Sequence, residues 1–189
     1  MIDEKAFSFC EKLKKVYIAD TVSTFGNAIF RGCVSLNDVR LSKSITTITD
    51  NMFQYTAIQS IELPSSVIKI DRIAFDGCTS LERIIIPSSV EILGETAFNG
   101  CTNLKVIRFN GDAPEIELSG IAAESIMPEA DKRLLNIGWS GTPQEGIYSH
   151  LFFSSDFRLE YYGDNHGFSE SWFNDVLRNP NQVLNLSIQ

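Results

Sequence analysis

A 23-residue repeat of apolar positions runs through the first 109 residues of this chain. Phenylalanine recurs at steps of 23, 23, 22 and 23 residues, at Phe7, Phe30, Phe53, Phe75 and Phe98. Cysteine follows four of these by three positions, at Cys10, Cys33, Cys78 and Cys101. A fixed period of this length is typical of stacked supersecondary units, none of which can bury its apolar face alone. The repeat therefore predicts a solenoid.

The unit at residues 81–101 shows the pattern most clearly. Its Ile-Ile-Ile run at 84–86 predicts a short strand with one buried face, and the proline that follows ends the strand. Val90 and Leu93 return to the core at a spacing of three, which predicts a 3₁₀ or helical turn. Each unit is thus expected to hold a strand, a turn, a short irregular or helical segment and a second turn.

Residues 81–101 and 58–78 closely resemble the unit of the BspA-type leucine-rich repeats, L-x-x-I-x-I-P-x-S-V-x-x-I-G-x-x-A-F-x-G-C. The resemblance covers residues 1–109. It implies an α/β solenoid, right-handed, with about five stacked 23-residue units and a face of parallel strands. It also implies a surface or secreted protein, mostly bacterial, that takes part in adhesion or in binding host proteins and has no catalytic activity.

The third unit is one residue short, between Phe53 and Ile58, and it lacks the cysteine. We place this deletion in a turn, where a missing residue costs least. The four cysteines form no C-x-x-C pair, and His150 and His166 lie far from them in sequence, so zinc is not predicted. A small thiol that recurs in a stack indicates core packing. Pairing of Cys78 with Cys101 across neighbouring coils stays open.

The charge is unevenly distributed along the chain. Residues 1–109 carry 12 Lys+Arg and 12 Asp+Glu, whereas residues 110–189 carry 4 and 12, which accounts for the whole net charge of −8. An acidic chain without a basic stripe argues against nucleic acid and against anionic membrane surfaces. No apolar run is long enough for membrane insertion. The ordinary interpretation of the acidic end is a solubilising region.

Residues 110–189 are predicted to form an acidic capping region that completes the array of residues 1–109. We expect a short helix over 127–137 and a strand over 157–162. The segment 157–172 resembles the family's closing element, so a degenerate closing unit is expected there. An open solenoid end exposes apolar rungs and an unpaired strand edge, which explains the need for a cover.

The outward positions of the strands form the candidate ligand-binding face. They are Tyr17, Arg40, Glu62, Ile85 and Arg108. These positions vary from unit to unit while the inward ones do not, and a solenoid displays such a column as one surface for a partner. The alternative is that their charges pair across strands, Arg40 with Glu62 and Glu82 with Lys105.

No catalytic motif is present: the chain lacks G-x-S-x-G, H-E-x-x-H and a glycine-rich phosphate loop. We therefore predict no catalytic residues, no cofactor and no metal. His166 lies beside Asp164 in a turn, where a hydrogen-bonding role is the ordinary one. Three acidic residues, Asp112, Glu115 and Glu117, are a weak calcium candidate without EF-hand spacing.

The sequence thus favours non-enzymatic recognition of a protein partner, by a monomer at the cell surface or in secreted form. The first residues lack an apolar signal core, and Met1 falls in mid-repeat, so we expect that a leader has been removed; a cytoplasmic location is the alternative. Two other functions stay open. One is a spacer segment of a longer surface array, and the other is an enzyme with a site in residues 110–189.

Overall fold

The computed structural model describes residues 1–94, 96–112, 114–117, 158–161 and 187–188. Its strands come from successive coils and pair in parallel. They are β1 Lys15–Tyr17, β2 Asp38–Arg40, β3 Thr47–Ile48, β4 Lys69–Ile70, β5 Arg83–Ile86, β6 Ile92–Gly94, β7 Val106–Phe109, β8 Glu115–Glu117, β9 Arg158–Tyr161 and β10 Ser187–Ile188. No helix occurs in the described ranges, so the α/β assignment is wrong for them.

The strand face consists of β1, β2, β5 and β7 together with residues 59–63 between β2 and β5. β1 pairs with β2, and β5 pairs with β7, each with a register offset of 23 residues, as in Val16↔Val39 and Ile84↔Ile107. Equivalent positions of the repeat therefore lie side by side, which confirms the predicted parallel strands. β9 pairs with β7 in parallel, and β10 pairs with β9. The strand predicted over 157–162 is thus confirmed.

The third coil interrupts the strand face. Residues 59–63 form no strand, although Ile61 and Leu63 still point into the core, each 7% exposed. The third coil lacks the cysteine but not its position, which Thr56 occupies, three residues after Phe53. The Thr56 hydroxyl donates to the Phe53 carbonyl at 2.9 Å. The missing residue therefore lies between Thr56 and Ile58, in the turn that leads to the absent strand.

From the second coil onward, the second half of the coil holds a strand in place of the predicted helical turn, whereas in the first coil the equivalent residue, Phe25, forms only an isolated bridge with Ile2. β3, β4, β6 and β8 form a four-stranded parallel sheet, the back sheet, with Ile48 opposite Ile70 and Ile70 opposite Leu93. The spacing of Val90 and Leu93 suggested a turn of helix. In the solenoid, the equivalent segments of the adjacent coils lie alongside. Their backbone N–H and C=O groups bond to those of this segment in a parallel ladder, whereas an isolated three-residue segment would leave these groups without partners.

One phenyl ring from each coil stacks on the next inside the solenoid. Centroids of successive rings lie 5.7, 5.7, 5.4 and 5.4 Å apart, with interplanar angles of 10–17°. We call this set the phenylalanine column; it contains Phe7, Phe30, Phe53, Phe75 and Phe98. All but Phe7 are fully buried. Offset stacking at this distance is favourable beyond the burial of apolar area.

Side chains also tie each coil to the carbonyls of the coil before it. Ser66 donates to the carbonyl of Ile45 at 2.6 Å, and Ser89 to that of Val67 at 2.7 Å. Buried cysteines do the same. The thiols of Cys33, Cys78 and Cys101 donate to the carbonyls of Phe7, Phe53 and Phe75 at 3.0–3.1 Å. These bonds satisfy buried carbonyl oxygens that the strands do not reach.

The cysteines are all free, so Cys78 does not pair with Cys101 in a disulfide. Core packing is confirmed for Cys33, Cys78 and Cys101 but is wrong for Cys10, which is exposed. Cys10 belongs to the first coil, which has a neighbour on one side only in this chain.

Several expectations fall outside the described residues. They are the helix over 127–137, the loop after the strand over 157–162, and the surroundings of His150 and His166.

The phenylalanine column predicts a steep dependence of stability on its central rings. Phe75→Ala should lower the free energy of unfolding by about 3–5 kcal/mol, because it removes a fully buried ring and leaves a cavity between two others. Phe7→Ala should cost much less, since its ring is 42% exposed and stacks on one neighbour. Urea unfolding followed by circular dichroism measures both. Equal losses at the two positions would contradict the role of the buried rings.

A candidate binding surface on the strand face

The strand face carries the five residues predicted to bind a ligand, and the structure places four of them on strands. Tyr17 lies opposite Arg40 in the pairing of β1 and β2, and Ile85 lies opposite Arg108 in that of β5 and β7. Tyr17 is 65% exposed and Ile85 is 44% exposed, whereas Arg108 is half-buried. Glu62 is exposed but lies in the strand-free third coil. The set is therefore divided into two pairs with Glu62 between them.

The charges on this face do not pair as the alternative interpretation proposed. Arg40 lies 3.7 Å from Asp20, in the turn after β1, and not against Glu62. No ion pair links Glu82 with Lys105 in the described part of the chain. Exposed pairs such as Arg40 with Asp20 contribute little to stability. Neither of the two cross-strand pairs that the sequence suggested is therefore present, although Lys15 on β1 does pair with Asp38 on β2.

Asp38 organises the first two coils of the face. Its carboxylate oxygen Oδ2 accepts a hydrogen bond from the Tyr17 hydroxyl at 2.8 Å and lies 3.0 Å from the Lys15 ammonium. The bonds from Lys15 and Tyr17 lower the pKa of Asp38 below its ordinary value. The bond to Asp38 likewise raises the pKa of Lys15 and that of Tyr17. The exposed phenol of Tyr17 is thus held in one position above β2.

Sequence reasoning missed Asp38 as a part of this surface. It was not among the predicted outward positions, whereas the structure makes it the first residue of β2. The signal was the repeat itself, since Asp38 stands 23 residues after Lys15 and must lie opposite it. Lys15 and Tyr17 lie two residues apart on the same side of β1. An acidic residue opposite that lysine on the next strand predicts this cluster.

Ion pairs on the back sheet serve packing. The Lys69 ammonium lies 2.9 Å from a carboxylate oxygen of Asp71. It also lies 2.7 Å from a carboxylate oxygen of Glu117, which is two coils further along the back sheet. Arg72 lies 3.3 Å from Asp50, whose pKa burial raises above its ordinary value while Arg72 opposes the shift. Because Glu117 is bonded to Lys69, it does not form the calcium cluster considered with Asp112 and Glu115. No group of three metal-ligating side chains occurs among the described residues.

Two of the buried thiols, those of Cys33 and Cys101, are poor nucleophiles. Burial raises the pKa of Cys33, and contact with the Cys78 sulfur together with burial raises the pKa of Cys101. Both therefore stay protonated near neutral pH, and a protonated, inaccessible thiol does not attack a substrate. Their role in the structure is the hydrogen bond to the preceding coil.

The described ranges contain no helix with the length and apolar character needed to cross a bilayer.

Comparison with known families and structures agrees with this architecture. The BspA type leucine rich repeat region matches residues 1–123 in six copies. A leucine rich cell surface protein from Faecalibacterium prausnitzii A2-165 is 37% identical, with a TM-score of 0.56 over 59% of this chain and 30% of that one. The T. pallidum leucine rich repeat protein is 23% identical, with a TM-score of 0.57 over 75% and 78%. The latter likeness concerns the fold alone.

The chain spans less than a third of the Faecalibacterium protein that it resembles. None of the curated proteins matches it.

The Asp38 cluster predicts a measurable change in acidity. Tyr17→Phe should raise the pKa of Asp38 toward its ordinary value, because the carboxylate loses one of its two donors. Because the pKa is lowered in the folded state, these bonds stabilise the fold fully at pH values above the ordinary carboxyl pKa. Their contribution is lost as the pH falls through the lowered pKa. Carboxyl ¹³C NMR titration measures the midpoint. Lys14→Gln is the control and should leave it in place; an unshifted midpoint in Tyr17→Phe would refute the hydrogen bond.

Proposed function

Because the chain belongs to the BspA-type leucine-rich repeat family, we propose that it recognises another protein through its strand face. The contact residues are Tyr17, Arg40, Glu62, Ile85 and Arg108. The protein acts as a monomer, at the cell surface or in secreted form, and its work is binding without chemistry. Adhesion to proteins of a host is the specific setting that we propose.

The position of Tyr17 carries this proposal. Its ring is 65% exposed, yet its hydroxyl is held by Asp38 and its backbone by the pairing of β1 with β2. Exposed aromatic side chains that are already ordered lose little entropy on binding, and they supply much of the energy of protein interfaces.

The rest of the face supports the same function. Ile85 adds an exposed apolar side chain, and its neighbour on β7 is Arg108. Arginine and tyrosine are both enriched where proteins bind one another. Inward positions hold the same apolar types in every coil, whereas outward positions differ from coil to coil. The core therefore fixes the shape, and the outward residues are free to determine which partner fits.

A spacer function is the second candidate, and two observations favour it. Tyr17 and Ile85 lie on opposite sides of coils that expose Arg40 and Glu62, so the apolar residues of the face form no continuous patch. The chain also covers only 30% of the longer cell surface protein that it resembles. In this alternative the coils hold other modules apart. Residues 110–189 close the array in either case, by our proposal, and keep it from stacking end to end.

The two functions differ in what removal of the outward side chains does. A variant with Tyr17→Ala, Arg40→Ala, Ile85→Ala and Arg108→Ala should keep its circular dichroism spectrum and unfolding midpoint but lose binding of extracellular proteins. A partner is identified by mass spectrometry after capture on the wild-type chain. Its affinity for each variant is then measured with purified proteins.

Ile68→Ala is the matched control, because Ile68 is 44% exposed like Ile85 but lies next to the back sheet. It should bind the partner as the wild type does. If the fourfold variant bound the partner with the affinity of the wild type, the strand face would not be the binding surface. Absence of any specific partner would favour the spacer.

A further inference from the structure

A ridge of turns runs along the solenoid two residues after each member of the phenylalanine column. This turn position holds Phe9, Gly32, Tyr55, Gly77 and Gly100. All five have left-handed backbones, with φ values of 58°, 70°, 61°, 66° and 68°. Glycine adopts this conformation without steric cost, whereas residues with a Cβ do not. Two coils therefore carry an aromatic residue at the position where the other three carry the unstrained one.

The aromatic residues and the glycines fit together in alternation. A Cβ on Gly32 would lie 2.5 Å from Cδ1 of Phe9, and one on Gly77 would lie 2.3 Å from Cδ1 of Tyr55. Each ring thus lies across the backbone of a glycine in the following coil. Burial does not explain the rings, since Phe9 is 63% exposed and Tyr55 is 48% exposed. Left-handed backbone is general in these turns, since Ala28 and Ile73 also have it, so the exposed aromatic side chains are the feature that indicates a recognition site.

A positive charge lies beside the first of the two rings. Arg31 lies on the intervening coil, with its Cζ 5.9 Å from the centroid of the Phe9 ring. No carboxylate forms an ion pair with Arg31 within the described ranges. Its Nε is buried without a hydrogen-bond partner there, and so is the Oε1 atom of Gln54 on the next coil. The ridge therefore presents two aromatic rings and an uncompensated cation, which complements an anionic ligand.

The spacing of the rings selects the shape of that ligand. Neighbouring coils stack roughly 4.8 Å apart, so groups two coils apart are separated by about 10 Å. A polyproline II helix repeats every three residues and advances about 9 Å in that interval. Residues i and i+3 of such a segment therefore reach both rings. A residue between them reaches Arg31.

We propose that the ridge of Phe9, Arg31 and Tyr55 binds an acidic, proline-rich polypeptide segment in the polyproline II conformation. Prolines stack on the two rings, and an intervening carboxylate pairs with the guanidinium of Arg31. Aromatic-lined surfaces recognise such segments because the ligand is already extended before it binds. This surface lies on the turns, away from the strands, and does not depend on the function proposed for the strand face.

The test uses a fluorescein-labelled peptide of four Pro-Pro-Glu repeats, with fluorescence polarisation as the readout. The wild-type chain should bind it saturably, and Phe9→Gly and Tyr55→Gly should each weaken binding about tenfold or more. Glycine is the residue of the same position in three other coils, so both variants should remain folded and their unfolding midpoints should not fall. Arg31→Gln should abolish the preference for this peptide over one of four Pro-Pro-Lys repeats.

Tyr17→Ala, on the strand face, is the matched control and should leave the peptide affinity unchanged. Three results would overturn the proposal. They are the absence of saturable binding up to about 1 mM peptide, unchanged affinity in Tyr55→Gly, and binding of polygalacturonate in place of the peptide. The last result would assign the ridge to an acidic polysaccharide.

Discussion

The stacking of one phenyl ring per coil is the constraint on which this structure depends. A ring that packs on the ring before it and the ring after it demands that every coil return to the same height and the same angle. A solenoid coil contacts only its neighbours, so no distant part of the chain can correct an error in register. The period of the sequence is thus a requirement of the core, and the strands, serines and thiols follow it.

Residues that face the core could be predicted from the sequence in detail. The 23-residue period accounts for the pairing of Ile84 on β5 with Ile107 on β7, because a parallel ladder in a repeat has the repeat length as its offset. The back sheet could not be predicted with the same rules. Its strands are two or three residues long, and a spacing of three apolar positions is compatible with a helical turn as well as with a strand. Pairing with adjacent coils decides the outcome, and that information is not local.

The candidate binding surfaces were predictable only in part, and for a different reason. Outward positions on the strands follow from alternation, so Tyr17 and Ile85 were found. Their partners depend on the lengths and directions of side chains, so the bond from Tyr17 to Asp38 and the pair of Arg40 with Asp20 came only from the structure. The ridge of turns was missed because a phenylalanine in a glycine position looks like a departure from the pattern. The clash at Gly32 shows that the departure and the pattern belong together.

The short third coil has a mechanical consequence. The back sheet runs without a break from β3 through β4 to β6, whereas the strand face has no strand between β2 and β5. At the third coil the two halves of the solenoid are therefore joined by the back sheet and by backbone hydrogen bonds beside the phenylalanine column, such as Phe30 N–H to Met52 O and Phe53 N–H to Ala74 O, but not by a strand-face ladder. A stack held in this way bends most easily about its unladdered side. Loss of one residue in a turn thus leaves the strand face least braced at that coil, in the middle of the surface that a bound molecule would meet.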